Sequence, residues 1–452
     1  MTNKYVGMDR MIEEKKRLDY KYLLIFALLQ FPLKISGIRI LTYVYIYFIP
    51  FIYLIINIKW TRSFFRRFRS KAGKTGFLIF AYLIVASILW PFLTGSYDFT
   101  YITIYWRGIF SILLKYTFLT AIYELHICKE RPSVEEFCNY YIYSVMIYVF
   151  VTAICLCIPV FNDLLRSIVH LEPGDIVNLQ NPSYRTRFGW GGWSGYGVTM
   201  QCTLAVVFCC NRIILEKGSL RNQIKYFFFS GILIVGNAFY GRTGLVISLI
   251  CIVITTVVSF IQGEIRYALV VVGTLIFGGS ILLVFGKNIS AVSTWLDWIF
   301  SAITNYRRLG HFYDNTGTVE TLVTKMYWMP DIKTLFLGDG IYTVNGEYYM
   351  KTDAGIMRPI LYYGIINYAL SLGAYFLIVY QYSKRVVQDN VNQFSRKYVN
   401  IIFGICVVMT MVFEIKGESF WMLLGMLCPI ALLKKNVEMV KNNDQCCNEC
   451  IQ

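Results

Sequence analysis

Thr243-Gly-Leu-Val-Ile-Ser-Leu-Ile-Cys-Ile-Val-Ile-Thr-Thr-Val-Val-Ser-Phe-Ile261 contains no charged residue. About 20 apolar residues cross the hydrocarbon core of a bilayer as a helix, and this run has that length. It lacks the apolar–polar alternation of a barrel strand, and lipid offers no partner to an unpaired backbone group, so a helix is the form it takes. Working outward, comparable runs stand at 22–38, 40–58, 76–95, 101–124, 137–160, 197–215, 226–239, 267–285, 358–382, 398–413 and 419–433. The first is the weakest, since Pro32, Lys34 and Gly37 interrupt it, and runs seven and eight are split only by Tyr240, Gly241 and Arg242. The sequence predicts an all-α polytopic membrane protein of about 12 transmembrane helices, one integral-membrane domain over 1–452 with no internal repeat.

Composition agrees. Of 452 residues 56% are apolar and only 15% charged, with a mean hydropathy of +0.52. These values exclude a disordered chain, a disulfide-stapled secreted module and a conventional soluble enzyme, where about a quarter of residues carry charge. The 43 Lys+Arg against 27 Asp+Glu give +16. Nucleic acid is not the implied partner, because no soluble segment is long enough to gather a basic face. The lipid bilayer is. With the N-terminus placed inside, inner segments hold 27 of the basic residues, outer segments 14, and Arg107 and Lys115 lie within the fourth span. This alternation predicts both termini in the cytoplasm, the tail 434–452 included.

The first 21 residues, with Lys15, Lys16 and Arg17, show no apolar core followed by a small-residue cleavage site, so the first run is expected to stay as an anchor. None of the 13 cysteines falls in an outer loop, which argues against disulfides. Cys446, Cys447 and Cys450 include a CxxC spacing without a second pair or nearby histidines, a weak metal signal.

Two outer loops, 161–196 and 286–357, are too long and too aromatic to be simple connectors. In the second, Val292, Trp295, Leu296, Ile299 and Ile303 recur at helical spacing, so 289–305 reads as an amphipathic helix that either lies in the interface or roofs a cavity. The first ends Asn181-Pro-Ser-Tyr-Arg185-Thr-Arg187-Phe-Gly189-Trp-Gly-Gly192-Trp-Ser-Gly195-Tyr-Gly197. Its glycines permit tight turns and close backbone approach, beside two arginines; an aromatic belt with a hinge is the plainer reading. Arg242 stands at the mouth of two helices, where a planar guanidinium and a helix N-terminus together suit phosphate oxygens. Snorkelling to lipid headgroups is the alternative.

The second long loop closes with Leu337-Gly338-Asp339-Gly340 and Lys351-Thr-Asp353-Ala-Gly355-Ile-Met-Arg358-Pro359, leading into Leu361-Tyr-Tyr-Gly364. Its carboxylates and arginines are either plain ion pairs or a base beside an anion clamp. Glu414-Ile-Lys416-Gly-Glu418 reads as a further charged outer turn, solvated in the simplest case. Arg185, Arg187, Arg242, Arg307, Arg308, Lys351 and Arg358 all lie on the side that the positive-inside rule should deplete, and a negatively charged lipid-linked substrate would account for them. Arg107 and Lys115 inside a span point to a polar cavity, with snorkelling the other reading for Arg107.

Gly241-Arg242-Thr243-Gly244 opening a span resembles a segment of bacterial O-antigen and capsule repeat-unit polymerases and O-antigen ligases. Leu337-Gly338-Asp339-Gly340, then Asp353-Ala-Gly355 and Tyr363-Gly364, resembles the close of their large outer loop, and the topology is similar throughout. The resemblance implies a GT-C-like membrane glycosyltransferase whose large outer loop carries short helices. Its implied reaction moves a growing glycan from undecaprenyl diphosphate to the next undecaprenyl-diphosphate-linked repeat unit, on the outer face of the bacterial cytoplasmic membrane. Diphosphate is a good leaving group, so the chemistry asks for cations to stabilise its charge and a base for the acceptor hydroxyl. On this resemblance Arg242, Arg185, Arg187, Arg358 and Lys351 are expected at the diphosphate. Asp353 and Asp339 would handle the acceptor or shape the loop, and His311 is a further base candidate.

No cofactor is implied, and the outer loops show no metal-ligand spacing, which suits a metal-independent reaction. A chain-length regulator is a possible partner. Between Thr318 and Met329 the sequence departs from the family, with Lys325-Met-Tyr-Trp328 where many relatives place an arginine. The alternatives are an O-antigen ligase using the same donor and, from another class, a flippase or transporter of the lipid-linked repeat, for which an inverted repeat would be expected.

Overall fold

In the computed structural model, the described residues are 19–69, 71–129, 132–180, 186–216, 218–274, 306–307, 310, 325–390 and 395–434. Each of the twelve apolar runs carries a helix, but not each helix is long enough to cross a bilayer. Among the described residues seven pass by length and composition: α4 (Gly73–Thr94), α5 (Ile102–Ile127), α6 (Val134–Cys157), α9 (Tyr196–Leu215), α11 (Arg242–Ile261), α14 (Met357–Asp389) and α15 (Arg396–Lys416). The pair α2 (Ile40–Ile56) and α3 (Ile58–Arg69), bent by 90°, makes an eighth if taken as one span. The chain is therefore a multi-pass, all-α membrane protein.

The remaining runs form α1 (Tyr20–Gln30), α10 (Leu220–Tyr240), α12 (Ile265–Thr274) and α16 (Phe420–Ala431). At 1.5 Å per residue, α1 reaches only about 16 Å. Phe31–Ile38 leave the helix, with Gly37 at φ +80°, so the sequence expectation of a helix over 22–38 is corrected to its first half. The ninth run is helical to Thr274, and the rest of it lies outside the described residues.

Sequence expected a basic loop after the second run, and the structure has α3 there. Phe64 is buried and Trp60 donates to Glu124 Oε2 at 2.9 Å, while Arg62 and Arg66 point outward. One apolar and one basic face, at a right angle to α2, make α3 a helix suited to the plane of the interface. In the 161–196 loop, α7 (Pro159–Ile168) and α8 (Pro173–Gln180) likewise expose Val160, Leu164 and Val177.

The central element is α9, buried along nearly its whole length; most of its residues are apolar or small, and its buried Arg212 is paired with Glu135. Outer helices show the converse: Leu78 and Leu93 of α4 and Val253 and Ile261 of α11 are exposed. Such outward apolar faces suit lipid rather than water.

Loops segregate to two ends. At one, Arg67 grips Glu124, Arg212 pairs with Glu135, Arg385 with Asp389, and Val134 N donates to Asp389 at 3.2 Å. The other gathers 95–101, 186–195, Gly241, 325–356 and 417–419. Asp98 is its pin: Oδ2 accepts the backbone N–H groups of Tyr342 (2.6 Å) and Thr343 (3.1 Å), and Oδ1 accepts Thr100 Oγ1 (2.6 Å). Burial alone would raise the Asp98 pKa; these donors outweigh it and leave it lowered.

Candidate functional site

The mouth of the second end is assembled from five elements, and glycines set how closely they meet. Just before α9, β1 (Phe188–Gly189) pairs antiparallel with β2 (Gly192–Trp193), turning at Gly192 with φ +88°. A Cβ on Gly189 would lie 2.7 Å from the Tyr148 hydroxyl, so the hairpin presses directly on α6. Trp190 donates to the Phe31 carbonyl at 2.6 Å and meets the Tyr148 ring edge-on. The glycine-rich run is thus a packed hairpin. It delivers Arg187, whose guanidinium lies 5.8 Å from the Trp193 ring and passes over Gly195.

Arg242 is the first residue of α11, and only Gly241 separates that helix from α10. The turn is held by a buried polar knot. Asn237 Nδ2 donates to Ser248 Oγ at 2.8 Å, and its Oδ1 accepts from Thr199 (3.2 Å) and Thr203 (3.4 Å) of α9. A Cβ on Gly244 would stand 2.6 Å from that Asn237 oxygen, which explains the glycine two residues after Arg242. Sequence reading passed over Asn237, Thr199 and Thr203. Polar residues inside apolar runs were the only available sign.

Across the mouth, Lys416 ends α15 and interacts electrostatically with Asp353, Arg187 and Arg242. Lys416 thus stands within electrostatic reach of one carboxylate and two arginines, each from a different element. Asp353 Oδ1 is covered from solvent and has no hydrogen-bond partner among the described residues. Gly355 brings that loop against the 417–418 turn, where a Cβ would come within 2.4 Å of the Gly417 carbonyl.

Arg358 takes another place. Its guanidinium lies 3.6 Å from Glu418 Oε2, 3.6 Å from the centre of the Tyr348 ring, and donates to the Tyr342 hydroxyl. Tyr342 passes the contact on, donating to Glu418 at 2.8 Å. All three side chains are buried, apart from half-exposed neighbours such as Tyr348. Burial raises the Glu418 pKa, with Arg358 and the Tyr342 hydroxyl opposing it. The 414–418 segment, read as a solvated turn, is corrected: Glu414 and Glu418 are buried, and Glu414 Oε1 accepts Phe420 N (2.8 Å) and Ser419 Oγ (2.8 Å), capping α16.

Asp339 shapes the loop that follows α13 (Ile332–Leu337). Its carboxylate accepts from Thr334 Oγ1 (2.7 Å) and the Tyr349 hydroxyl (3.2 Å). Helix α14 breaks at Tyr363 and Gly364, the latter at φ +83°, and the carbonyls of Leu361 and Tyr362 take the backbone N–H groups of Asp339 (2.7 Å) and Gly340 (2.9 Å). Leu337-Gly338-Asp339-Gly340 and Tyr363-Gly364 are two halves of one junction. Lys351 is exposed, in a left-handed turn with Met350, two residues from Asp353. Arg185, Arg308, His311 and the 289–305 segment lie outside the described residues, and Arg307 is exposed.

No protein-family model and no curated protein matches this chain.

Proposed function

We propose that the chain is a glycosyltransferase that polymerises lipid-linked oligosaccharide repeats, with the cluster of Lys416, Arg187, Arg242 and Asp353 as its diphosphate site. The gathering of Arg187 before α9, Arg242 at the start of α11 and Asp353 within electrostatic reach of Lys416 at the end of α15 is the observation that carries this reading. Cations fixed at helix ends in a covered mouth are suited to the charge that develops on a departing diphosphate. The start of α11 adds the partial charge of its helix N-terminus beside Arg242. Asp353, with an acceptor atom left over, is the group we assign to the acceptor hydroxyl. Asp339 and Arg358 then act by holding the loop.

The sequence resemblance supplies the substrate class, an undecaprenyl-diphosphate-linked glycan, and no cofactor. The apolar runs and the Lys/Arg alternation supply the finer topology of twelve passes with both termini cytoplasmic, and the resemblance puts the mouth on the outer face of the bacterial inner membrane. In cells whose polymer depends on this chain, Arg242→Ala should abolish the polymer ladder while protein level and single-repeat display persist. A normal ladder from Arg242→Ala and Arg187→Ala alike would overturn the assignment.

A further inference from the structure

Beneath the hairpin lies a cavity of about 230 Å³ between α1, α5, α6, α9 and α16. Lys115 of α5 lines it. This residue is 13 positions from Ile102 and 12 from Ile127, roughly 20 Å from either helix end at 1.5 Å per residue. That is too deep for its stem to snorkel to an interface. Among the described residues it has no ion pair or hydrogen bond. An ammonium in this setting is costly to keep unless something solvates it.

The rest of the lining selects the occupant. Gln30 is 4% exposed; its Oε1 accepts from Ser144, and its Nε2 points without a partner. Gln201 Oε1 also lacks one. Ser194, Gly197 and Val198 bring the start of α9 to the wall, and Gly195 caps that helix with no side-chain hydrogen bond. First-turn N–H groups and the helix dipole therefore add positive potential. No Asp or Glu lines the cavity. One cation, a free amide donor and a helix N-terminus, with no carboxylate, make an anion site; Phe31, Ile112, Met422 and Met426 give it an apolar side.

We propose that the Lys115 cavity binds a phosphate-bearing anion, separate from the Arg242 cluster: the phosphate of a membrane lipid, with the first carbons of its chain against the apolar wall. The anion site stands on its own residues; only naming that lipid as a second lipid-linked substrate rests on the proposed function.

The test uses the full chain in phosphatidylcholine nanodiscs, titrated with undecaprenyl phosphate, phosphatidylglycerol or inorganic pyrophosphate. Saturable binding of undecaprenyl phosphate is expected, weakened about tenfold or more by Lys115→Met, as befits a hydrogen bond to a charged group. Lys115→Met should unfold no earlier than wild type, because it removes an unpaired charge. Should it fail to fold, Ser194→Asp, which places a carboxylate in the lining, takes over as the variant expected to lose binding. Pyrophosphate binding as tightly as the lipid would assign the site to the free anion; phosphatidylglycerol binding equally would assign it to lipid phosphates in general. Unchanged affinity in the folded variant, or no binding of any probe, overturns the proposal. Arg242→Ala should keep this binding, so a ladder that survives both Arg242→Ala and Arg187→Ala sinks the proposed function and leaves the cavity's test intact.

Discussion

Arg358 shows how much a residue's meaning depends on what sits opposite it. In sequence it is an arginine at the lip of a helix, suited to an anion. In space its charge is matched by Glu418, sixty positions on, and shielded by Tyr342 and Tyr348. Removing one member of a buried pair typically costs about 3–5 kcal/mol. Arg358→Ala should therefore lower the yield and thermal stability of the purified protein, which fluorescence-detected size exclusion after heating would read. Arg242→Ala should leave both near wild type. Asp98 makes the second residue-scale prediction. Its folded pKa lies below the ordinary carboxyl value of 3.8, so its stabilisation is present above that value and is lost as pH falls through the folded one. Asp98→Asn should thus lower the melting temperature at pH 7, and the gap to wild type should close on acidification. A gap that persists unchanged in acid would mean the donors hold the side chain by shape alone.

At the scale of elements, the break in α14 is the decisive feature. A helix that stops at Tyr363 frees two carbonyls inside an apolar layer, where each would otherwise be costly. The Gly338–Gly340 turn satisfies them, and Gly364 lets the backbones touch: a Cβ there would sit 2.0 Å from the Phe336 carbonyl. Gly364→Ala meets both a backbone conformation that is essentially glycine's alone (φ +83°, ψ 164°), costing about 1–3 kcal/mol, and that collision. We expect it to disrupt the loop and with it any polymer ladder, with stability falling more than for Gly373→Ala, whose Cβ meets nothing within 4 Å. Equal stability of the two variants would contradict the junction. The glycines of this junction were legible in the sequence as motifs. Their pairing was not, since nothing in a one-dimensional pattern says that residue 338 lies on residue 362.

Across the whole molecule, alternate loops collect at opposite ends, joined by ion pairs at one and by the polar mouth at the other. Impermeant maleimide should therefore reach Arg266→Cys and Asn345→Cys from opposite faces of sealed vesicles, once exposed Cys157 and Cys446, Cys447 and Cys450 of the tail are replaced. Labelling of both from one face would break the alternation. The positions of apolar runs by themselves determined the class of fold, because a bilayer leaves a long uncharged segment little choice but a helix. Hydropathy could not say which runs cross, since α1 ends at a Pro-containing stretch and α3 turns flat on its own two faces. Only tertiary structure decided which charges face each other. It sent Arg358 into an internal pair, drew Lys416 towards Arg187, Arg242 and Asp353, and left Lys115 alone in a cavity. Electrostatic partnership falls off over a few ångströms of space, whatever the distance along the chain.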